Sequence, residues 1–209
     1  MRAILSDLDG VLIDSGAVVD HTWRIWASRH GLDPDAVVVG VHGRPGAELV
    51  AELAPEADVA REMEWLEAYE IDAAGKVRAF DGAAEVLAQE RVAIVTPCTE
   101  PLARARLDAA GLRAPDVLVT ADRVPRGKPA PDPYLIAAKE MGVDPAACMV
   151  LEDAPAGIAA GKAAGMIVLA IATTHERAAL SQADSIHDDL LAALAYMIPI
   201  SELSPTMKR

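Results

Sequence analysis

Phenylalanine occurs once in the 209 residues, cysteine twice, and all aromatic residues together make up 3% of the chain. A core filled by large rings is therefore excluded. The 52% of residues that are hydrophobic must pack mainly as Ala, Val, Leu and Ile, a mixture that suits Ala-rich helices laid over Val-rich strands. Cys98 and Cys148 are far apart, and Cys148 sits inside the apolar run "CMVL", so no disulfide framework is expected and a reducing, cytoplasmic setting is. No apolar run reaches the roughly 18 residues of a spanning helix, and "MRAILSDLD" meets an aspartate before a signal-like stretch can develop. Positive charge is scarce as well: 19 Lys and Arg face 32 Asp and Glu, a formal net charge of −13. Such a chain repels phosphate backbones and anionic lipid, which argues against nucleic acid and membrane surfaces as partners. An anionic small ligand would need a local cation to hold it.

What is present is an alternation. Short apolar runs closed by polar or turn residues stand at "AILSDLD" (3–9), "VAIVTP" (92–97), "DVLVT" (116–120), "CMVLED" (148–153) and "IVLAIAT" (167–173). Helical patterns lie between the later ones: "GAAEVLAQE", "EPLARARLDAAGL", "DPYLIAAKEMGV" and "APAGIAAGKAAGM". Nearly continuous apolar strands alternating with helices predict an α/β fold with a doubly wound parallel sheet. Residues 15–78 break the alternation, with helical spacing, no convincing strand and all three tryptophans, Trp23, Trp26 and Trp65. We read a core domain from 1–14 and 79–196, an inserted small α-helical domain at 15–78, and a tail at 197–209 carrying Pro199 and Pro205. A monomer or weak homodimer is expected.

Ligands of open parallel sheets bind beyond the carboxyl ends of the strands. The predicted ends carry Asp7 and Asp9, Thr96, Lys128 in the loop "RGKPAPDPY", and Glu152 with Asp153. Four carboxylates in one cleft repel one another unless a divalent cation sits among them, and hard oxygen donors suit Mg2+. A carboxylate, Mg2+, a hydroxyl and a lysine make a site for a phosphoryl group. In that site Asp7 would attack phosphorus. Asp9, on the same side of an extended chain, would protonate the leaving oxygen and later deprotonate water. Taken alone, Asp7 and Asp9 before Gly10 read as turn or capping residues, but that does not explain the polar groups recurring at the later strand ends.

In order and spacing, "DLDGVLIDS", the Thr of "IVTPCTE", the Lys of "GKPAPDPY" and the acidic pair of "LEDAPAGIAAGKAAGM" resemble the four motifs of the haloacid dehalogenase superfamily, over essentially the whole chain to about Leu194. Within it, "WASRHGL", "VHGRPG" and "ARARLDAAGLRAPDVLVTADRVPRGKPAPDPYL" look most like sugar-phosphate phosphatases of the 2-deoxyglucose-6-phosphatase and glycerol-3-phosphatase type. The resemblance implies a Rossmann-like core with a helical cap and a small phosphorylated sugar or polyol as substrate. It makes Asp7 the nucleophile, Asp9 the acid and base, and Thr96 and Lys128 the phosphate ligands. Mg2+ would be held by Asp7, the backbone carbonyl of Asp9, and Asp153, with Glu152 direct or through water. A β-phosphoglucomutase-like mutase and a catalytically weak phosphosugar-binding module are the alternatives. Two positions depart from the family pattern. Pro97 stands where a free N–H commonly helps to bind phosphate, a donor that Thr99 or a water would have to replace, and Val11 stands where Thr is frequent.

The loop "VHGRPG" places glycines on both sides of Arg44. A lone loop arginine reads as a solvated side chain. The cap position implied by the resemblance instead makes His42, Gly43 and Arg44 substrate-binding residues, with Arg44 on sugar hydroxyls or a second anion and His42 orienting it. Trp23, Trp26, Trp65 and Tyr69 are spaced as faces of helices and read as core of the small domain. His21, His30 and His175 read as surface residues, and His187 as following the last strand. Cys98 lies beside the phosphate loop without a role, and the glycines of "AGIAAGKAAG" read as close helix packing, since the G-x-G-x-x-G spacing is missing.

Overall fold

The computed structural model describes residues 2–41 and 46–197. Strand β1 (Ala3–Ser6) is buried at every position, as expected of a strand covered on both faces. A tight turn leads to the two-residue strand β2 (Ile13–Asp14). Four helices follow: α1 (Gly16–Arg29), α2 (Pro34–Val39), α3 (Gly46–Leu53) and α4 (Val59–Ala73). Strand β3 (Arg78–Ala79) then pairs antiparallel with β2, Ile13 opposite Ala79 and Asp14 opposite Arg78. The chain thus enters and leaves the helical segment through one small ladder.

The remainder alternates: α5 (Ala83–Leu87), β4 (Val92–Val95), α6 (Glu100–Ala109), β5 (Val117–Val119), α7 (Asp132–Glu140), β6 (Cys148–Glu152), α8 (Pro155–Ala163), β7 (Ile167–Ile171), β8 (Ser185–His187) and α9 (Leu190–Met197). One six-stranded parallel sheet results, in the order β5-β4-β1-β6-β7-β8. From β1 the chain works outward through β4 to β5, then returns to lay β6 on the other side of β1. That reversal makes the carboxyl end of β1 the place where a ligand crevice opens.

Period-two alternation divides the strands between two cores. Ile4, Ile94, Leu118, Leu151 and Leu169 face one side with Leu102 and Leu107 of α6 and Leu190 and Leu194 of α9. Leu5, Val95, Val119, Val150 and Val168 face the other with Tyr134 of α7 and Ile158 of α8. The helical segment has its own cluster, in which Trp23 and Trp26 pack with Val37, Leu49, Val50 and Leu66, and Trp65 is partly buried against it. The indole N–H of Trp26 donates to Glu62 at 2.9 Å, so these rings are core, as the helical spacing predicts.

The five expected strands all form. Three others were not expected: β2 and β3 are too short for a hydrophobic pattern to register, and β8 is a half-buried three-residue edge. His187 therefore ends a strand instead of following the last one. Two further histidines depart from the surface reading. His30 is half-buried, with its ring 4.5 Å from that of Trp26 and Nε2 3.1 Å from Glu62, and His175 is also half-buried. Residues 198–209 of the expected tail lie outside the described residues. Among the described residues, no helix is long and apolar enough to cross a membrane.

Candidate active site

Asp7 is the first residue past β1, its N–H donating to the carbonyl of Leu151 at 2.9 Å, and it is 6% exposed. Lys128 arrives from the loop after β5. Its Nζ donates to Asp7 Oδ1 at 2.9 Å, to the carbonyl of Val95 at 3.0 Å and to Glu152 Oε1 at 2.5 Å. Tyr134 donates its hydroxyl to the same Glu152 oxygen at 2.6 Å, while Glu152 Oε2 accepts the N–H groups of Asp153 at 3.2 Å and Ala154 at 3.4 Å. Both oxygens of Glu152 are thus engaged by protein donors, and its evident task is to fix Lys128.

Two glycines make room for these carboxylates. A Cβ on Gly157 would stand 1.8 Å from Glu152 Oε1, so the glycine of "APAGIAAG" serves close packing. Gly10 adopts φ +78°, where a side chain is strained, and a Cβ there would stand 2.1 Å from Asp153 Oδ2.

Asp7, Glu152 and Asp153 each offer an oxygen within 4.8 Å of the others, and all three are buried. Burial pushes Asp7 well above the usual carboxylate range. Lys128 opposes that shift, and the negative charges of Glu152 and Asp153 add to it. Burial, then the charge of Glu152, raises Asp153 to about 7. For Lys128 burial works against the ammonium, but Asp7 and Glu152 outweigh it and hold the charge more firmly than usual. One ammonium among three buried carboxylates leaves an excess of negative charge, and the donor set is hard oxygen. These residues fit a Mg2+ ion. Asp153 also accepts from the Thr174 hydroxyl, whose oxygen lies 2.8 Å from His175 Nδ1. The sequence reading missed Thr174 and took His175 for a surface residue.

Thr96 follows β4 directly and is 4% exposed. Its N–H reaches the carbonyl of Val119 at 2.9 Å, and its hydroxyl oxygen accepts the N–H of Cys98 at 3.1 Å. Between them Pro97 is exposed and has no N–H to give. Thr99, one candidate for supplying the missing donor, directs its hydroxyl to Glu67 of α4 at 2.5 Å. It links the helical segment to the sheet domain, which corrects its expected use as a replacement donor.

Asp9 lies in a separate network. Its Oδ1 accepts from the Ser15 hydroxyl at 2.6 Å and from Arg106 Nη1 at 2.7 Å, and its Oδ2 from the Cys98 thiol at 3.1 Å. Burial, reinforced by the charge of Asp9, pushes the Cys98 thiol well above its ordinary value, so it remains a protonated donor. Cys98 and Cys148 are both free thiols. Arg106 is a residue the sequence reading overlooked. The signal was its place on the buried stripe of α6, beside Leu102, Ala103 and Leu107. His42, Gly43 and Arg44 lie outside the described residues.

The family model for haloacid dehalogenase-like hydrolases matches residues 1–165. The chain is 41% identical over 191 residues to Hexitol phosphatase A of Escherichia coli, covering 88% of each chain. It is 33% identical over 192 residues to Glycerol-1-phosphate phosphohydrolase 2 of Saccharomyces cerevisiae, covering 84% of this chain and 76% of that one. Among solved structures, it aligns with a HAD family hydrolase from Deinococcus radiodurans R1 with bound phosphate and sodium at a TM-score of 0.70 and 30% identity, covering 94% and 96% of the two chains.

Proposed function

The chain belongs to the haloacid dehalogenase-like hydrolases, and on that premise we propose that it is a Mg2+-dependent phosphatase hydrolysing a small sugar or polyol phosphate through an aspartyl phosphate on Asp7. The observation that carries this reading is the buried Asp7 at the switch point of the sheet, with Lys128 2.9 Å from one of its oxygens and two further carboxylates beside it.

In the first step a carboxylate oxygen of Asp7 forms the bond to phosphorus as the ester oxygen leaves, and Asp9 gives that oxygen a proton. In the second, Asp9 takes a proton from a water that attacks the same phosphorus, which frees Asp7 and inorganic phosphate. Thr96 donates its hydroxyl hydrogen to the phosphoryl group, and Lys128 offsets charge on both Asp7 and the phosphate. Asp7, the backbone carbonyl of Asp9, and Asp153 would hold Mg2+, with Glu152 reaching it through water because its oxygens are already engaged. When bound, the ion neutralises the carboxylates and the equatorial oxygens of the phosphoryl group.

The same reading makes the helical segment 15–78 a cap over the site, and gives His42, Gly43 and Arg44 the substrate's hydroxyls. Contacts of α4 with the sheet domain, Glu67 to Thr99 and Glu70 to Arg106, support a placement beside the catalytic loops. Two free thiols suit a reducing, cytoplasmic setting. The relatives' names favour a phosphorylated polyol or sugar as substrate and water as acceptor. The test is phosphate release from a panel of hexitol, hexose, pentose and glycerol phosphates, with and without Mg2+, beside Asp7→Asn. Metal-dependent release that vanishes in the variant supports the reading. Isomerised sugar phosphate with little free phosphate would replace the phosphatase by a mutase.

A further inference from the structure

Arg106 is 3% exposed and touches two carboxylates from two parts of the fold. Nη1 lies 2.7 Å from Asp9 Oδ1, and Nη2 lies 2.7 Å from Glu70 Oε2 on α4. We infer that Arg106 is a positioning residue that sets the Asp9 carboxylate and makes its placement depend on where α4 sits. This inference rests on the phosphatase reading, in which Asp9 transfers the protons.

Stability alone does not explain the arginine. Desolvating a guanidinium costs several kcal/mol, and a well-packed apolar residue in place of a buried ion pair is often as stabilising or more so. With an apolar residue at position 70 as well, so that no carboxylate of α4 is left unpaired, a leucine or methionine at position 106 would continue the stripe of Leu102, Ala103 and Leu107. What an apolar residue lacks is the fork. Two nitrogens held in one plane engage two acceptors at once, and a lysine's single point charge cannot reproduce that. Among the described residues the Nε of Arg106 has no hydrogen-bond partner, so the terminal nitrogens, on Asp9, Glu70 and Cys98 Sγ, set the orientation of the group.

Asp9 is constrained in turn. Ser15 and Arg106 share Oδ1, and the Cys98 thiol holds Oδ2. Proton transfer requires the carboxyl within hydrogen-bond reach of the leaving oxygen, and displacement by a fraction of an ångström is enough to lose much of its effect. Ser15 and Cys98 belong to segments flanking the site. Among the described residues, Arg106 is the one of the three donors whose own side chain bonds α4, through Glu70, and so ties the position of that helix directly to Asp9.

The test compares two leaving groups. An alkoxide leaving from a polyol phosphate needs the proton of Asp9, whereas p-nitrophenolate leaves without one. The kcat/KM of wild type, Arg106→Lys and Glu70→Gln, which reports only the steps up to formation of the aspartyl phosphate, is measured on p-nitrophenyl phosphate and on whichever of hexitol 6-phosphate, fructose 1-phosphate or glycerol 1-phosphate the wild type turns over fastest. General acid catalysis contributes roughly 100- to 10,000-fold. Arg106→Lys is therefore expected to lower kcat/KM on the alkyl ester by at least about tenfold, with a much smaller loss on the aryl ester. Glu70→Gln, which keeps the arginine and nearly the same shape, moves in the same direction by less, and it carries the test if Arg106→Lys does not fold. Equal losses on both esters, or no loss in either variant, overturn the inference while leaving the phosphatase standing. A wild-type enzyme silent on every ester overturns the phosphatase reading and this inference with it.

Discussion

Lys128 and Asp7 are 121 positions apart in the sequence, yet the lysine Nζ lies 2.9 Å from Asp7 Oδ1. Glu152 holds that ammonium in place from the other side, and Glu152 is itself held by Tyr134, by two backbone N–H groups and by the space that Gly157 leaves. The chemistry proposed for Asp7 therefore depends on residues that never meet a substrate, and several outcomes follow from that dependence.

Gly157→Ala separates two opposing effects. Gly157 lies in the first turn of α8, where alanine is favoured over glycine on helix propensity by at most about 1 kcal/mol. The added methyl would, however, lie 1.8 Å from Glu152 Oε1, and overpacking costs about 1 to 3 kcal/mol. Because the obstacle is a carboxylate anchored at both oxygens, the clash prevails. Lower thermal stability together with weakened phosphate binding is expected, and a stabilised, fully active variant would show that Glu152 moves aside freely.

Tyr134→Phe removes one donor from a buried, charged acceptor and leaves the ring packing intact. The lost hydrogen bond to Glu152 is worth about 1.5 to 3 kcal/mol. A drop in unfolding free energy of that size is expected from denaturant titration, and no change would mean that the Lys128 ammonium alone satisfies Glu152 Oε1.

The cluster of carboxylates makes stability depend on pH in the absence of metal. The folded pKa of Asp153, about 7, lies above the ordinary 3.8, so folding favours its protonated form. Its contribution is fully present below the unfolded value and is lost as pH rises through the folded one. In chelator, the thermal midpoint of the wild type should fall relative to Asp153→Asn between about pH 4 and about pH 7, and adding Mg2+ should restore it at the upper end. A difference between the two proteins that stays flat with pH would contradict this account.

Pro97→Gly returns an N–H to the loop after Thr96. Thr99 is already committed to Glu67, and the Cys98 N–H to Thr96, so a restored donor adds about 1 kcal/mol of phosphate binding. Inhibition by inorganic phosphate should strengthen several-fold; unchanged or weaker inhibition counts against the idea that a donor is missing.

Much of this architecture can be read from the chain because the polar residues interrupt apolar strands. Asp7, Thr96, Glu152 and Asp153 each close such a run, and the structure places them, with Lys128, around the carboxyl ends of β1, β4 and β6. Tyr134 and Gly157 were not legible as part of the site, since each acts through a contact between elements distant in sequence. Arg106 is a different case. A charged residue on the buried stripe of α6 is visible in the helical spacing, but its partners Asp9 and Glu70 are not, because nothing local pairs them. The strands β2, β3 and β8 escaped notice for want of length.

The central claim is that phosphorus bonds to Asp7 during turnover. The most direct measurement is an acid quench of the enzyme with Mg2+ and its best phosphate ester within a single turnover, followed by mass spectrometry of the peptide carrying Asp7. The account predicts one added phosphoryl group on Asp7, absent from Asp7→Asn and disappearing as inorganic phosphate forms. Steady phosphate release with Asp7 never modified, or with the phosphoryl group on another residue, would contradict it.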